Sequence, residues 1–421
     1  MEIAIDADRL WADLEANAEF GAIESDAGRG RTVLTGTPEN TAARDRLCER
    51  LQDAGCTVTV DRVGNIVGRW TPPSADAEAP AVAAGSHLDS VPSGGIFDGP
   101  LGVYSSLEAV RSLQEAGVTI DRPIDVVCFT EEEGARFGPG LLGSAVATGV
   151  IDPDVALEMT DDEGRRLGAA LEAQGYLGET RVDAEQWAAW VEVHVEQSRR
   201  LERAGEPVGV VTDITGIAHL QASIEGTADH AGATPMDERT DALAAASEVV
   251  LAIEAAAQEA STDTAVGTVG SVQVQPNATN VVPGRVELGV DIRDIDRTAM
   301  DGMLAALEAA LQDVGDGRAV ETTLSVDVDL DPTPMTPRIR ETAQEVATAA
   351  GLAPPALHSG AAHDTMHVAK LTDAGLLFAR SEDGRSHSPL EWTTPGDCGA
   401  ATEVLTGTLA RLAGARLADT V

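Results

Sequence analysis

Lysine is almost absent from this sequence of 421 residues: Lys370 is its single lysine, and every other basic side chain is an arginine. Basic residues are few altogether, since 29 lysines and arginines face 70 aspartates and glutamates, for a net charge of −41. Such a charge excludes nucleic acids and anionic membranes as partners, because both would be repelled. The acids are spread along the whole chain, a pattern typical of halophilic proteins, in which concentrated salt screens the self-repulsion.

Cysteines and long apolar runs are also scarce. The four cysteines, Cys48, Cys56, Cys128 and Cys398, form no CxxC pair, which favours reduced thiols in a cytoplasm over a disulfide framework. No segment approaches the roughly 18 unbroken apolar residues of a membrane span. The opening stretch MEIAIDADRLWADLE lacks the basic region and the apolar core of a secretion signal. We therefore expect a cytoplasmic protein, long enough for two domains.

Helix and strand patterns alternate through the first half of the chain. TAARDRLCERLQDAG and GVYSSLEAVRSLQEAG carry apolar residues at helical spacing, whereas AVAAG, IDVVCFT and the end of QWAAWVEVHVEQS read as strands. CTVTVDRVGNIVGRW reads as two strands joined by a turn. This alternation predicts an α/β fold with helices on both faces of a mixed sheet.

The pattern changes at about residue 209. Strands with alternating polar residues and two long helices follow, which predict a two-layer α+β insert. DPTPMTP then marks the return to the first domain, whose last strand is GLLFAR. We expect a catalytic domain made of residues 1–208 and 329–421 and an inserted domain made of residues 209–328.

The segment GSHLDSVPSGGIFDGPLGV, residues 85–103, places a histidine and two aspartates on a glycine-rich loop after a buried strand. Asp89 lies two residues after His87, so in an extended chain it points to the same side and can hold the second imidazole nitrogen. Asp98 lies further along, where the glycines let the chain fold back. Taken alone, this segment fits either half of a metal site or a solvated acidic turn.

Three other segments carry similar polar residues. FTEEEGARFG places three glutamates at the exit of a strand, which suits either a cation site or an acidic helix start. His194 in EVHVEQ lies on a strand with Glu192 and Glu196 on its own face, and His387 lies in the polar loop RSHSPLEW. Each histidine alone is more typical of a structural or solvated side chain. Together with the first loop they offer three histidines, one aspartate and one glutamate, enough for two zinc-like ions about 3.5–4 Å apart.

Two further motifs do not support a function. GPGLLG, residues 138–143, matches the letters of a dinucleotide-binding loop but lies several residues beyond its strand, with no ordered strand–turn–helix around it. HDTMH, residues 363–367, has the histidine spacing of HExxH but lacks its glutamate.

An ordered set of motifs runs from about residue 30 to the C-terminus: GSHLDSVPSGGIFDGPLGV, FTEEEGARFG, EVHVEQ, DHAGATPMDERTDAL, PNATNVVPGRVELGVDIR, SGAAHDT and SHSPLEW. This set resembles the hydantoinase/carbamoylase branch of the dinuclear-zinc amidohydrolases related to the M20 peptidases. The branch includes N-carbamoyl-L-amino-acid hydrolases, β-ureidopropionases and allantoate amidohydrolases. The resemblance implies a mixed-sheet zinc-hydrolase catalytic domain with an inserted two-layer α+β lid, which also forms the contact of a homodimer.

The resemblance also implies two metal ions that share one carboxylate. His87, Asp98 and His194 would hold one ion, and Asp98, Glu133 and His387 would hold the other. Zinc is the expected metal, with manganese, cobalt and nickel as alternatives. Asp89 would orient the His87 imidazole without touching the metal.

Five further residues would act on the substrate, a small ureido or amide acid. Glu132 would be the general base for metal-hydroxide attack on the carbamoyl C–N bond of an N-carbamoyl-L-amino acid or a related ureido acid. His230 would stabilise the oxyanion, Asn280 and Arg293 would bind the substrate carboxylate, and Gln197 would line the pocket. The guanidinium of an arginine can donate two parallel hydrogen bonds to a carboxylate. Without the resemblance, however, an arginine on a strand would be interpreted as part of a surface ion pair.

The sequence departs from the usual motifs of this branch at three positions. Ser198 follows EQ in place of glycine, Ala362 replaces the second glycine of GAGHD, and Arg385 replaces the isoleucine of DGISH. One alternative function is an aminoacylase or dipeptidase of the same fold, and another is a non-catalytic metal-binding relative. His194, where a peptidase often has a carboxylate, speaks against the first, and the intact Glu132 speaks against the second.

Overall fold

The computed structural model of the protein describes residues 3–416, so residues 1–2 and 417–421 of the predicted catalytic domain lie outside the described part. The chain divides into two compact units. The first consists of the chain up to Thr212, Met335–Ser359 and the chain from His363 onward, and the second of Asp213–Pro334 and Gly360–Ala362. In the described residues, no helix combines the length and the apolar character that a membrane crossing requires.

Most of the longer helices begin where the sequence offers proline or a capping side chain. Thr37 and Thr394, for example, accept hydrogen bonds from the backbone N–H groups of Asn40 and Asp397. Within the described residues the α-helices are Ala7–Ala18 (α1), Pro38–Asp53 (α2), Pro100–Glu115 (α3), Leu142–Ala147 (α4), Pro153–Glu158 (α5), Leu167–Gln174 (α6), Arg200–Ala204 (α7), Ala242–Gln258 (α8), Arg297–Arg318 (α9), Pro337–Ala349 (α10), Thr365–Val368 (α11) and Pro395–Leu412 (α12). Short 3₁₀ turns form at Ala184–Gln186, Met236–Glu238 and Glu382–Gly384.

The strands are distributed over both units. In chain order they are Ala22–Ile23 (β1), Gly30–Arg31 (β2), Thr57–Val60 (β3), Ile66–Trp70 (β4), Ala81–His87 (β5), Ile124–Phe129 (β6), Trp187–Val195 (β7), Val208–Ile214 (β8), Gly216–Glu225 (β9), Asp229–His230 (β10), Val266–Gln275 (β11), Val281–Val282 (β12), Arg285–Asp294 (β13), Glu321–Leu330 (β14), Thr333–Pro334 (β15), Ala356–Ser359 (β16) and Ala374–Ala379 (β17). The predicted boundary at 208/209 falls at the start of β8, and the one at 328/329 falls inside β14.

The first unit is built on a mixed sheet with the strand order β8-β17-β7-β5-β6-β4-β3, and β16 pairs with β8. The central strands β17, β7, β5 and β6 are parallel, whereas β8, β4 and β3 join antiparallel. Every residue of β5, β6 and β17 is buried, as expected of parallel strands that are covered on both faces. The predicted α/β class with a mixed sheet is confirmed.

Two apolar layers cover this sheet. On one face, side chains such as Val82, Val126 and Val193 belong to the large core that α1, α3 and α12 complete. On the other face, Phe129 and Trp190 pack with their centroids 5.4 Å apart in a smaller cluster that reaches α11. Because both faces are closed, the carboxyl ends of the parallel strands are the natural place for a site.

The second unit is an antiparallel sheet in the order β11-β13-β9-β14 with α8 and α9 on one face. Residues of β13 alternate between buried and half-buried positions, because only one face of the sheet meets the helices. Ile224, Leu288 and Val290 form a core with Val249 of α8 and Leu307 of α9. The unit is therefore a two-layer α+β structure.

We expect Leu288→Ala to lower the free energy of unfolding by about 2–5 kcal/mol, because the fully buried side chain would leave a cavity between the sheet and the helices. The control is Leu251→Ala on α8, whose side chain is 63% exposed and should change stability by about 0.5 kcal/mol or less. Urea unfolding of the full chain, followed by circular dichroism, measures both. Equal losses for the two variants would contradict the assigned core.

Candidate metal centre

The polar motifs meet at the carboxyl ends of the four parallel strands. His87 is the last residue of β5 and pairs in register with Phe129, the last residue of β6. His194 of β7 pairs with Phe378 near the end of β17. Residues 131–133 follow β6 in a loop, and the next helix begins only at Leu142. The three glutamates of FTEEEGARFG therefore do not form the start of a helix.

Asp98 lies between two groups of these side chains. Its Oδ1 is 3.2 Å from His194 Nε2 and 3.4 Å from His87 Nε2, while its Oδ2 is 3.6 Å from His387 Nε2. His387 Nε2 is also 3.1 Å from Glu133 Oε2. In each of the groups His87–Asp98–His194 and Asp98–Glu133–His387, one potential ligand atom per residue lies within 4.8 Å of the others. The structure therefore brings together the five side chains for which metal binding was predicted.

The charges in this cluster act strongly on one another. Burial opposes protonation of His194, but the negative charge of Asp98 and the contact with it raise the pKa of His194 to about 9. Burial disfavours the charged form of Asp98, yet His194 and His87 hold the pKa of its carboxyl well below the usual value. The contact with Glu133 raises the pKa of His387. These carboxylates thus attract positive charge into the site.

The donor set fits a divalent cation. His87 is fully buried, and its Nε2 makes no hydrogen bond to any described residue. A buried imidazole nitrogen that makes no hydrogen bond is costly unless something else binds it. Imidazole nitrogens combined with carboxylate oxygens are the ligands that zinc and similar ions prefer.

Asp89 contacts His87 in a different way from the one predicted. His87 Nδ1 lies 3.1 Å from the backbone carbonyl oxygen of Asp89 and 3.8 Å from its carboxylate Oδ1. The Asp89 carboxylate instead accepts a hydrogen bond of 3.1 Å from the backbone N–H of Glu133. Asp89 therefore orients the imidazole through its main chain and the Glu133 loop through its side chain.

Glu132 stands beside this cluster, with its Oε2 3.6 Å from His87 Nε2. Its side chain is only 10% exposed. Burial raises the pKa of Glu132 well above the usual value, and the charge of Glu133 adds to this against the opposing effect of His87. A carboxyl in this setting holds a proton more readily than an exposed glutamate does.

Backbone conformation contributes to the site at two positions. Gly99 has a φ of +82°, and a Cβ there would lie 2.5 Å from the His87 ring, so only glycine lets the loop pass so close. His387 has a φ of +53° although it is not glycine. Such left-handed residues cost energy and occur often at functional sites.

Sequence reasoning missed several buried polar residues around the cluster. Arg31 is fully buried and donates hydrogen bonds to the carbonyl oxygens of Gly95, Asp89 and Asp98. Glu391 is buried and accepts from the backbone N–H of Asp98. The motif SHSPLEW contains Glu391 but gives it no role, and no local pattern signals Arg31, since both residues act on partners far away in the sequence.

His363, which belongs to the rejected HDTMH motif, is another buried neighbour. Its ring packs edge-on against His194 with the centroids 4.6 Å apart, and its Nε2 lies 2.9 Å from Ser359 Oγ. Burial and the nearby His194 hold the pKa of His363 well below the usual value. His363 is therefore a neutral ring that packs against His194.

Gln197 and Ser198 follow β7. Gln197 Oε1 is buried and makes no hydrogen bond to any described residue. The Ser198 hydroxyl donates a 2.5 Å hydrogen bond to Glu196, which also accepts from the backbone N–H groups of Arg200 and Leu201. Ser198 therefore joins a local network at the start of α7.

His230 lies in the second unit on a tight turn. The backbone N–H groups of Gly232 and Ala233 donate to its Nδ1 at 3.0 and 3.1 Å, which leaves Nε2 as the protonated, donating nitrogen of the neutral ring. Arg239 holds the turn through the carbonyl oxygens of Ala231 and Thr234. The Asn280 carbonyl oxygen accepts from Ala231, so Asn280 and His230 are neighbours.

Arg293, near the end of β13, is held by Asp291 on the same strand. Its Nε and Nη2 donate to the Asp291 carboxylate at 2.8 Å each, and its Nη1 donates to the Gly360 carbonyl oxygen at 2.7 Å. His219 Nε2 also lies 3.1 Å from Asp291. The guanidinium is thereby fixed in orientation within the second unit.

Comparison with known proteins places this architecture in a family. Residues 83–411 match the family model of Peptidase family M20/M25/M40. The N-carbamoyl-L-amino acid amidohydrolase of Geobacillus stearothermophilus is 40% identical over 97% of this chain and 99% of its own length, and the ureidoglycolate hydrolase of Arabidopsis thaliana is 32% identical over 97% and 87%. The crystal structure of an amidase of the hydantoinase/carbamoylase family from Burkholderia multivorans has a TM-score of 0.91 and 36% identity, with 98% of both chains covered.

The chain belongs to peptidase family M20/M25/M40. The resemblance to the hydantoinase/carbamoylase branch of this family, predicted from the motifs, is confirmed, as is the predicted class of hydrolases that act on non-peptide C–N bonds. The family implies a divalent metal and a small-molecule substrate.

We expect His387→Ala to bind one divalent ion fewer per chain than the parent protein, because the group Asp98–Glu133–His387 would lose its imidazole. The matched control is His219→Ala, which removes an imidazole that belongs to neither group and should leave the metal content unchanged. Atomic emission spectroscopy after loading with Zn²⁺ and removal of free metal measures the content. An unchanged content in His387→Ala would exclude this histidine as a ligand.

Proposed function

We propose that this chain is a two-metal amidohydrolase that cleaves the carbamoyl C–N bond of N-carbamoyl-L-amino acids. The observation that carries the proposal is the position of Asp98 between two groups of imidazole and carboxylate side chains, with Glu132 beside them. Relatives named for this activity, such as the one 40% identical over 97% of the chain, support the substrate class.

The proposed ligands are His87, Asp98 and His194 for one ion and Asp98, Glu133 and His387 for the other. When bound, the two ions supply Lewis acidity and make water nucleophilic near neutral pH. Zinc is the proposed metal, because imidazole and carboxylate are ligands that it commonly takes, with manganese, cobalt and nickel as alternatives.

Glu132 serves as the general base and acid in this proposal. Its buried carboxylate takes the proton from the attacking water and returns it to the nitrogen that leaves. A carboxyl whose pKa is raised by burial suits both directions, because it accepts the proton and later releases it. The products from a carbamoyl substrate are carbon dioxide, ammonia and the free amino acid.

We propose that four other residues bind the substrate. His230, whose Nδ1 accepts two backbone hydrogen bonds, donates a hydrogen bond to the oxyanion through its Nε2. Arg293, whose orientation Asp291 fixes, and Asn280 bind the substrate carboxylate. The unpaired buried Oε1 of Gln197 accepts a hydrogen bond from the substrate.

The cellular setting is also part of the proposal. We propose a cytoplasmic homodimer, with the second unit as the lid and dimer contact, adapted to concentrated salt. The net charge of −41 and four cysteines that form no disulfide support the salt adaptation and the reducing compartment.

We expect Glu132→Gln to lower kcat by about 10²–10⁴-fold, because the amide cannot accept the proton from water. Its metal content should match that of the parent, since Glu132 is not a proposed ligand. Glu345→Gln, a surface carboxylate on α10 that pairs with Arg411, is the matched control and should retain full activity. Full turnover in a metal-loaded Glu132→Gln enzyme would overturn the mechanism.

A substrate panel in molar KCl tests the reaction itself. N-carbamoyl α-amino acids should be cleaved fastest, ahead of N-carbamoyl-β-alanine, allantoate, ureidoglycolate and N-acetyl amino acids. Chelator should abolish the release of ammonia, and added Zn²⁺ should restore it. Cleavage of acetyl or peptide substrates alone would identify an aminoacylase or dipeptidase instead, and no cleavage with metal bound would indicate a non-catalytic relative.

A further inference from the structure

We propose that Glu391 is a positioning residue that holds the loop of Asp98 and the loop of His387 in a fixed relation to each other. The proposal rests on the metal roles given above. It assigns to Glu391 the task of preorganising the group Asp98–Glu133–His387, without contact to metal or substrate.

The first set of contacts joins Glu391 to the loop that ends at Asp98. The Glu391 side chain is buried, and its Oε1 accepts hydrogen bonds from the backbone N–H groups of Phe97 at 2.7 Å and Asp98 at 3.1 Å. Hydrogen bonds from N–H groups to a carboxylate are shorter and stronger than those between neutral groups. They fix the main chain at the residue whose carboxylate lies between the two proposed metal positions.

The second set joins Glu391 to the loop that carries His387. Glu391 Oε2 accepts a hydrogen bond of 3.0 Å from the hydroxyl of Ser386, the residue directly before His387. The same hydroxyl contacts the carboxylate of Asp98. The backbone N–H of Glu391 donates to the Ser388 carbonyl oxygen at 2.9 Å, which closes the loop on itself. One carboxylate therefore ties together both ligand-bearing loops.

Two neighbouring residues, Gly95 and Arg31, accommodate the Glu391 carboxylate. A Cβ at Gly95 would lie 2.1 Å from the Glu391 carboxyl carbon, so a larger residue at this position would displace the carboxylate. The fully buried Arg31 donates to the Gly95 carbonyl oxygen and offsets the negative charge next to it. Hydrogen bonds to both oxygens and a nearby cation favour the ionised form of a buried carboxylate and offset part of the cost of its burial.

Groups that orient metal ligands change metal affinity by about 10–100-fold when they are removed. Of the proposed ligands, Asp98 and His387 lie in the two loops that Glu391 ties together. Loss of Glu391 should therefore weaken the ion held by Asp98, Glu133 and His387 more than the ion held on the rigid strands at His87 and His194.

The test titrates the metal-free full chain with Co²⁺ and follows binding by calorimetry and by the visible absorption of bound Co²⁺. For Glu391→Ala we expect the second equivalent to bind about 10–100-fold more weakly than in the parent, with an altered absorption band. Glu391→Gln should lose less affinity, because its amide oxygen still accepts from Phe97 and Asp98 although its NH₂ group cannot accept from Ser386. Ser386→Ala should show a partial loss of the same kind.

The matched control is Asp13→Asn. Asp13 is another buried carboxylate, but its partners are Arg46, Arg50 and Arg111. The Asp13→Asn substitution should lower the melting temperature of the metal-free chain and leave both Co²⁺ affinities unchanged. A merely structural role of Glu391 would give that same pattern.

Two results separate the inference from the function on which it rests. If the parent binds two Co²⁺ ions and both Glu391 variants bind them with unchanged affinity, the positioning role is overturned and the proposed function stands. If the parent itself binds no pair of Co²⁺ ions and cleaves no ureido or amide substrate, the proposed function and this inference are both overturned.

Discussion

The strongest constraint in this protein is the burial of carboxylates and imidazoles where four parallel strands end at one edge of a sheet. Asp98, His87 and His194 are nearly inaccessible to water, so their charges act on one another without much screening. Such a buried group is stable only when its positive and negative charges offset each other and each polar atom has a hydrogen-bond partner or a bound ion. The His87 Nε2, which makes no hydrogen bond to a described residue, and the crowding of acids explain why this donor set suits divalent cations.

Other buried charged residues around the cluster hold its strands and loops in place. Glu192, on the same strand as His194, accepts hydrogen bonds of 2.7 Å each from Ser86 and Thr365, which ties β5, β7 and α11 together behind the cluster. Arg31 supplies a buried positive charge on the other side. The site is therefore held by residues that never touch its centre, and precise positioning of this kind is what metal-dependent catalysis requires.

Membership in peptidase family M20/M25/M40 and close relatives named for carbamoyl and ureido substrates narrow the reaction to C–N hydrolysis. Within that class, specificity depends on the residues that bind the substrate rather than on the metal ligands. Ser198, Ala362 and Arg385, where the motifs predict a departure from the family, therefore bear on the choice of substrate. Ser198 bonds to Glu196, and Arg385 pairs with Asp383 at 2.9 Å, so both have partners within the protein.

The sequence by itself determined the main strands and helices of the first unit and the kinds of ligand. Apolar periodicity predicted α2, α3, β5, β6 and β7, and the position of each motif after a strand predicted one shared edge. Patterns missed α1 and the short helices α4 to α6, of which α4 to α6 span only six to eight residues and so show little periodicity. Only the tertiary structure placed Asp98 between two groups of ligands, gave the His87 contact to the Asp89 carbonyl, and brought Glu391 to a backbone N–H 293 residues away. Local periodicity encodes which face of a strand is buried, whereas hydrogen-bond partners across loops are decided by how the whole chain packs.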